Sequence, residues 1–166
     1  MYVDNDPMVL AHARALLTST KEGVTAYINA DLRETDKIMA EAGKTLDFAK
    51  PIGLILSGVM GHVTDTARAR SIVRNLMGYL PSGSYLSLND GTSVVGGDQL
   101  EQATQDYNET GAIPYVQRTP EEIASFFDGL ELVEPGVISC PQWRPEDPAG
   151  DPPAELDAFG GVGRKA

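Results

Sequence analysis

The chain has 166 residues, 42% of them hydrophobic, which suits one domain, 1–166, with a real core and lies far from disordered composition. Its formal charge of −11, from 24 acids and 13 bases, repels phosphate backbones, so no nucleic-acid partner is expected and a small-molecule or protein substrate fits better. No apolar run reaches the roughly 18 residues of a membrane span. No basic stretch runs into an apolar leader, and the single cysteine, Cys140, allows no internal disulfide, so the expectation is a cytoplasmic, reducing setting with no membrane partner.

Tyr2-Val3 reads as a short strand ending at Asp4. Asp6-Pro7 then starts a helix, with Asp6 as cap and Pro7 in the first turn. Val9, Leu10, Ala13, Leu16 and Leu17 share one face of it, by their spacing of three and four. Thr25 to Ile28 is a second strand, followed by Ala30-Asp31-Leu32, a helix from Thr35 to Ala42 with Ile38 and Met39 inward, and a stop at Gly43. Ile52 to Leu56 is the strongest strand. It is apolar on both faces, as a central parallel strand with a neighbour on each side should be.

After the turn Ser57 to His62, a helix from Ala67 to Tyr79 buries Ile72, Val73, Leu76 and the following Leu80. Pro81-Ser82-Gly83 turns into a strand, Ser84 to Leu88, then a loop from Asn89 to Gly97 and a polar helix from Leu100 to Glu109. Thr119-Pro120-Glu121-Glu122 is a capping box opening a helix that turns Ile123, Phe126 and Phe127 inward and ends at Gly129. Leu130 to Val133 is a strand that Val137-Ile138 extends beyond Pro135-Gly136. Residues 145–157 form an exposed loop rich in proline and acids, and 158–164 is a frayed tail or a short final strand, of which composition alone favours the tail. Strands alternating with helices predict an α/β fold with a largely parallel sheet, whose strand ends gather on one ligand-binding edge.

Asp4, Asp31 and Ser57 to His62 all fall at such strand ends. Asp4 could accept bonds from both hydroxyls of a ribose, or only cap the helix with Asp6. Asp31 could accept from the exocyclic amine of adenine beside the Leu32 N–H, or be a loop acid. The small residues of the 57–62 turn let a ligand approach the backbone. His62 could serve as a general base, or be structural. Arg118 and Arg144 could pair with a substrate carboxylate, but read first as surface ion-pairing residues; Trp143 reads as a packing anchor and Cys140 as a small, at least half-buried apolar residue. No cysteine pair, HExxH or acid cluster suggests a metal, and no GxSxG or phosphate-binding GKS/T loop is present.

Longer motifs carry a resemblance. Tyr2-Val3-Asp4-Asn5-Asp6-Pro7 with Val9 to Leu17, Ala30-Asp31-Leu32-Arg33, and Leu80-Pro81-Ser82-Gly83-Ser84-Tyr85-Leu86 resemble an actinobacterial S-adenosyl methyltransferase family once called a domain of unknown function. So do Arg118 to Ile123, Phe126 to Val137, Trp143-Arg144-Pro145 and the closing Gly160 to Lys165. The resemblance implies a Rossmann-like class I methyltransferase sheet, mostly parallel with an antiparallel last strand, Phe159 to Gly163, set beside its predecessor. It implies S-adenosyl-L-methionine as cofactor, with Asp4 and Asn5 at the ribose, Asp31 and Leu32 at the adenine, and Ser57, Gly58 and His62 along the methyl-transfer edge. No catalytic residue follows from it.

Two departures stand out. The first strand and the glycine-rich turn of relatives have no counterpart before Met1, which implies a gap between the second and fourth strands of the sheet and an exposed strand edge open to self-association. The histidine also falls one place later than in relatives, in Met60-Gly61-His62. The competing expectation is a non-catalytic remnant acting through protein contacts. A nicotinamide oxidoreductase shares only the ribose-binding acid.

Overall fold

The computed structural model describes residues 1–17, 19–146 and 150–166. They form two compact units, 1–50 and 51–166. Among the described residues no helix is long and apolar enough to cross a membrane.

The first unit contains β1 (Tyr2–Asp4), α1 (Pro7–Leu16), β2 (Tyr27–Asn29) and α2 (Thr35–Ala42). Asp6 caps α1 as expected: its Oδ1 accepts the Met8 N–H at 2.7 Å, and Pro7 lies in the first turn. β1 and β2 run parallel, Tyr2 opposite Tyr27 and Asp4 opposite Asn29, with the two tyrosine rings stacked at 5.7 Å. The Tyr27 hydroxyl lies against the carbonyls of Ala13 and Leu17, so β2 holds the end of α1. The expected apolar stripe of α1 is not buried. Leu10 is 1% exposed, but Leu16 is 76% exposed, and Val9 and Leu17 are also open. Spacing decides which residues share a helix face; two strands of three residues each are too narrow a surface to cover it. In α2, Ile38 and Met39 are buried as expected, and Gly43 caps its end.

The second unit contains β3 (Gly53–Ser57), α3 (Thr66–Tyr79), β4 (Tyr85–Gly91), α4 (Gly97–Glu109), α5 (Pro120–Ala124), β5 (Glu131–Leu132), β6 (Ile138–Ser139) and β7 (Ala158–Arg164). β3 and β4 are parallel, from Gly53 opposite Tyr85 to Ser57 opposite Asn89. β7 is antiparallel to β4 along its whole length and pairs on its other side with β5 and β6. The α/β class and the antiparallel closing strand implied by the resemblance are therefore present, and the tail that composition suggests is a strand. Its glycines explain why: a Cβ on Gly160 would lie 2.5 Å from the Leu88 carbonyl oxygen, and one on Gly163 would lie 2.8 Å from Cδ1 of Phe127.

Among the described residues β3 pairs with β4 alone, and Ile55 is 72% exposed. Among the described residues β3 is thus not covered on both faces as its apolar run suggests, while its unpaired edge agrees with the expected gap in the sheet. On α3, Asp65 accepts the Arg68 N–H at 2.6 Å, and Ile72, Val73, Leu76 and Leu80 are buried with Ala69 and Met77. The capping box of α5 forms as expected, with Thr119 and Glu122 each accepting the other's N–H. Ile123, Phe126 and Phe127 are buried below it, and Gly129 leaves the helical run at φ +84°. Among the described residues Arg144 is in no ion pair, contrary to expectation. Its guanidinium donates to the Glu134 carbonyl and lies over the half-buried Trp143 ring, whose Nε1–H donates to Gly136 O. The described residues of 145–157 are mostly exposed; 147–149 lie outside the described residues.

Gly160→Ala is expected to destabilise the second unit by about 1–3 kcal/mol, the usual cost of forcing an added methyl into a packed site. Urea denaturation of the purified chain measures this, and an unchanged midpoint would mean that β4 and β7 do not approach so closely.

Candidate functional site

In the first unit the parallel pairing brings the ends of β1 and β2 to one edge. Asp4 ends β1, and Asp31 follows β2 by two residues. Asp4 Oδ1 accepts the Asp6 N–H at 2.8 Å, a local turn that spends one oxygen of the carboxylate. Asn5, next in the chain, reaches Asp31 with its side-chain amide at 3.5 Å, so the structure brings these residues together. Asp31 is held from several sides: Oδ1 accepts the Arg33 N–H at 2.8 Å, and the Arg33 guanidinium spans both oxygens at 3.1 and 3.0 Å. Burial pushes the Asp31 carboxyl up, but these bonds and that from Asn5 outweigh it and leave the group below its ordinary value. Asp31 is thus a carboxylate at neutral pH, an acceptor only. Beside it, the half-buried Leu32 has no hydrogen-bond partner for its backbone N–H among the described residues.

In the second unit Ser57 ends β3 opposite Asn89. Gly58 follows at φ +63° and donates its N–H to the Asn89 carbonyl at 2.9 Å, a backbone setting that favours glycine. Residues 60–62 make one 3-10 turn, in which Met60 and Gly61 are buried. His62 Nδ1 is 3.1 Å from the Pro114 carbonyl oxygen, which can only accept, so Nδ1 donates to it. The ring also meets Tyr115 edge-on at 5.1 Å and 74°.

The segment 114–118 straps this turn to the end of β4. The N–H groups of Val116 and Arg118 donate to the carbonyls of Gly61 and Gly91. Asn108, on α4, binds both backbone groups of Tyr115, at 2.9 and 2.8 Å. The Tyr115 hydroxyl donates to Asp90 at 2.8 Å and accepts the Gly91 N–H at 3.1 Å. Two glycines make room for this ring: a Cβ on Gly61 would lie 2.2 Å from it and one on Gly91 2.6 Å from its hydroxyl.

Beneath the strap, Arg118 is 2% exposed. Its guanidinium donates to the carbonyls of Met60 at 2.9 Å and Val63 at 2.5 Å, pairs with Asp90 at 3.4 Å and lies over the Phe126 ring. The expectation of a surface ion-pairing arginine is therefore corrected: the polar groups that it serves are 28 to 58 residues away in sequence, so no local pattern announces it. Burial raises the Asp90 carboxyl above its ordinary value, against the opposing pull of Tyr115, Gly91, Arg118 and His62. Burial and the Asp90 carboxylate push the Tyr115 phenol up to about 12.

Sequence reasoning missed Asp90, Asn108 and Tyr115. The one hint was a pair of glycines, Gly61 in the turn after β3 and Gly91 at the end of β4. It also missed Asp157, whose carboxylate takes the N–H groups of Val95 at 2.8 Å and Gly96 at 2.7 Å and the Thr92 hydroxyl at 3.2 Å, fixing the entry to α4. Two open clefts adjoin the strap. One, of about 390 Å³, is lined by His62, Leu100, Ala103, Thr104, Tyr107 and Tyr115. The other, of about 360 Å³, shares Thr104 and Tyr115 and adds the acids Glu101 and Glu122. Among the described residues no group of three His, Cys, Asp or Glu could hold a metal ion.

The profile of the family described as S-adenosyl methyltransferase matches residues 1–166. A comparison with curated proteins finds no match. Among solved structures, a DUF574 family protein from Streptomyces avermitilis is 38% identical with a TM-score of 0.89, over 99% of this chain and 64% of that one. A Thermobifida fusca protein described as a candidate methyltransferase is 34% identical with a TM-score of 0.83, over 99% of this chain and 62% of that one. The chain therefore spans less than two thirds of the length of either. The N-methyltransferase NodS from Bradyrhizobium japonicum, solved with S-adenosyl-L-homocysteine, shares the fold at 13% identity and a TM-score of 0.56, over 98% of this chain and 64% of that one.

Arg118→Met is expected to cost about 3–5 kcal/mol, because it strands the buried Asp90 carboxylate. Adding Asp90→Asn should restore part of that loss. Chemical denaturation of the two single variants and the double variant checks it; strictly additive losses would mean that Arg118 and Asp90 do not act as a pair.

Proposed function

The chain belongs to the S-adenosyl methyltransferase family, and we propose that it supplies the nucleoside-holding and acceptor-facing parts of an S-adenosyl-L-methionine-dependent methyltransferase. The observation that carries the cofactor assignment is the Asp31 carboxylate at a strand end beside the Leu32 N–H, which has no hydrogen-bond partner among the described residues. An adenine edge offers an amine donor next to a ring-nitrogen acceptor, so one acceptor and one adjacent backbone donor suit it. Asp4, with one oxygen committed to its own turn, keeps the other for ribose hydroxyls, and Asn5 adds an amide at the same edge. Ser57, Gly58 and His62 serve the methyl-transfer edge in this reading.

The cofactor would be held by Asp4, Asn5, Asp31 and Leu32 and would supply an electrophilic methyl group on a sulfonium. The work of the chain is positioning. The acceptor is a small molecule or a protein, in a cytoplasmic setting.

Calorimetric titration with S-adenosyl-L-homocysteine tests the reading. Micromolar binding is expected, weakened by about 1.5–3 kcal/mol in Asp4→Ala, the range for a lost bond to a charged group. An unchanged affinity would leave Asp4 as a turn residue only. No binding at millimolar ligand would favour a non-catalytic interaction protein.

The open edge of β3 motivates a second expectation, self-association of the isolated chain. Light scattering should show a mass that rises with concentration and falls back in Ile55→Lys. A monodisperse monomer throughout would set this aside.

A further inference from the structure

We infer that the cleft between α4 and the 114–118 strap binds a planar, uncharged aromatic molecule as the methyl acceptor. This rests on the methyl-transfer reading above and adds the class of acceptor to it. The cleft lies where His62 follows β3 and where Tyr115 is fastened to the end of β4, and strand ends of this kind are where α/β sheets hold their ligands. Its volume of about 390 Å³ falls in the small-molecule range.

Its walls are rings and short apolar surface: His62, Tyr107 and Tyr115, with Leu100 and Ala103. Two of the three hydroxyls among them are occupied within the protein. The Thr104 hydroxyl donates to the Leu100 carbonyl at 3.0 Å, and the Tyr115 hydroxyl donates to Asp90. A ligand therefore gains little by hydrogen bonding to these hydroxyls and much by ring contact, where aromatic pairs add about 0.5–1.5 kcal/mol beyond area burial.

Charge points the same way. No Lys or Arg lines this cleft; the adjoining one carries Glu101 and Glu122 beside Arg118, which is 2% exposed and committed to Met60, Val63 and Asp90, and the chain has a net charge of −11. An anionic ligand would meet no lysine or arginine in this cleft and an unfavourable field. The walls are also held in place. Tyr115 is tied by Asn108 at its backbone and by Asp90 and Gly91 at its hydroxyl, and His62 is bonded to Pro114 and seated against the Tyr115 ring. Flat, pre-set ring walls select flat ligands, because little ordering remains to be done on binding.

The test uses naphthol and naphthalenesulfonate, which share a ring system and differ in charge, titrated calorimetrically into the chain and into Ala103→Trp. Ala103 is exposed on α4, so the larger side chain fills the cleft without entering the core. Naphthol is expected to bind at least about tenfold tighter than naphthalenesulfonate, and to lose about tenfold or more in Ala103→Trp, while S-adenosyl-L-homocysteine binds both proteins alike. Equal or tighter binding of the sulfonate, naphthol binding unmoved by Ala103→Trp, or no naphthol binding where the homocysteine ligand binds would each overturn the aromatic assignment. Failure of the homocysteine ligand with naphthol binding intact would overturn the methyl-transfer reading and leave the cleft an aromatic site.

Discussion

The second unit depends on one buried cation. The Arg118 guanidinium sits under the turn that follows β3, donates to two carbonyls of that turn and faces Asp90 at the end of β4. Taking a charge out of water costs several kcal/mol, and only a full set of partners offsets it. That requirement forces the geometry. The 60–63 backbone must turn its carbonyls inward, Asp90 must stay beneath the strap, and residues 114–118 must cross the strand ends at a fixed height. His62 and Tyr115 take their positions from that arrangement together with their own bonds, His62 to Pro114 and Tyr115 to Asn108, Asp90 and Gly91.

The same cluster shows how a polar core is made tolerable. Asp90 has three protein donors, Arg118, Tyr115 and Gly91, yet burial still holds its carboxyl above the ordinary value. The aromatic ring shields one side of the group, and Gly61 and Gly91 give the ring space. Among the described residues no buried side-chain nitrogen or oxygen lacks a hydrogen-bond partner. A network satisfied in this way is stiff, which suits a site whose contribution is orientation.

What could be read beforehand follows the range of the interactions concerned. The capping box of α5, the Asp6 cap of α1 and the buried stripe of α3 were legible because each is written within one or two helical turns. The closing strand was legible only through its likeness to a family: three glycines look like a tail until one knows that Leu88 and Phe127 crowd against them. The stripe of α1 misled, since Leu16 and Leu17 stand on the right face with nothing described to cover it. Arg118 misled for the opposite reason, its partners lying far along the chain. Of the candidate site residues, Asp4, Asn5 and Asp31 do gather at one edge, while the Asp90–Asn108–Tyr115 set had no local signature at all.

Asp157 stands immediately before β7 and grips the loop that leads into α4. β5 and β6 reach the sheet only through β7, and the start of α4 waits on the residue that precedes it. Assembly is therefore back-loaded. As the polypeptide emerges from a ribosome, β3 and β4 can pair early, but the far side of the sheet and the helix beside the clefts stay unfinished until residues 157–164 are available. Without residues 157–164 the loop into α4 would lack the Asp157 carboxylate and β4 its antiparallel partner, so the frame of the ring-lined cleft depends on the far end of this unit.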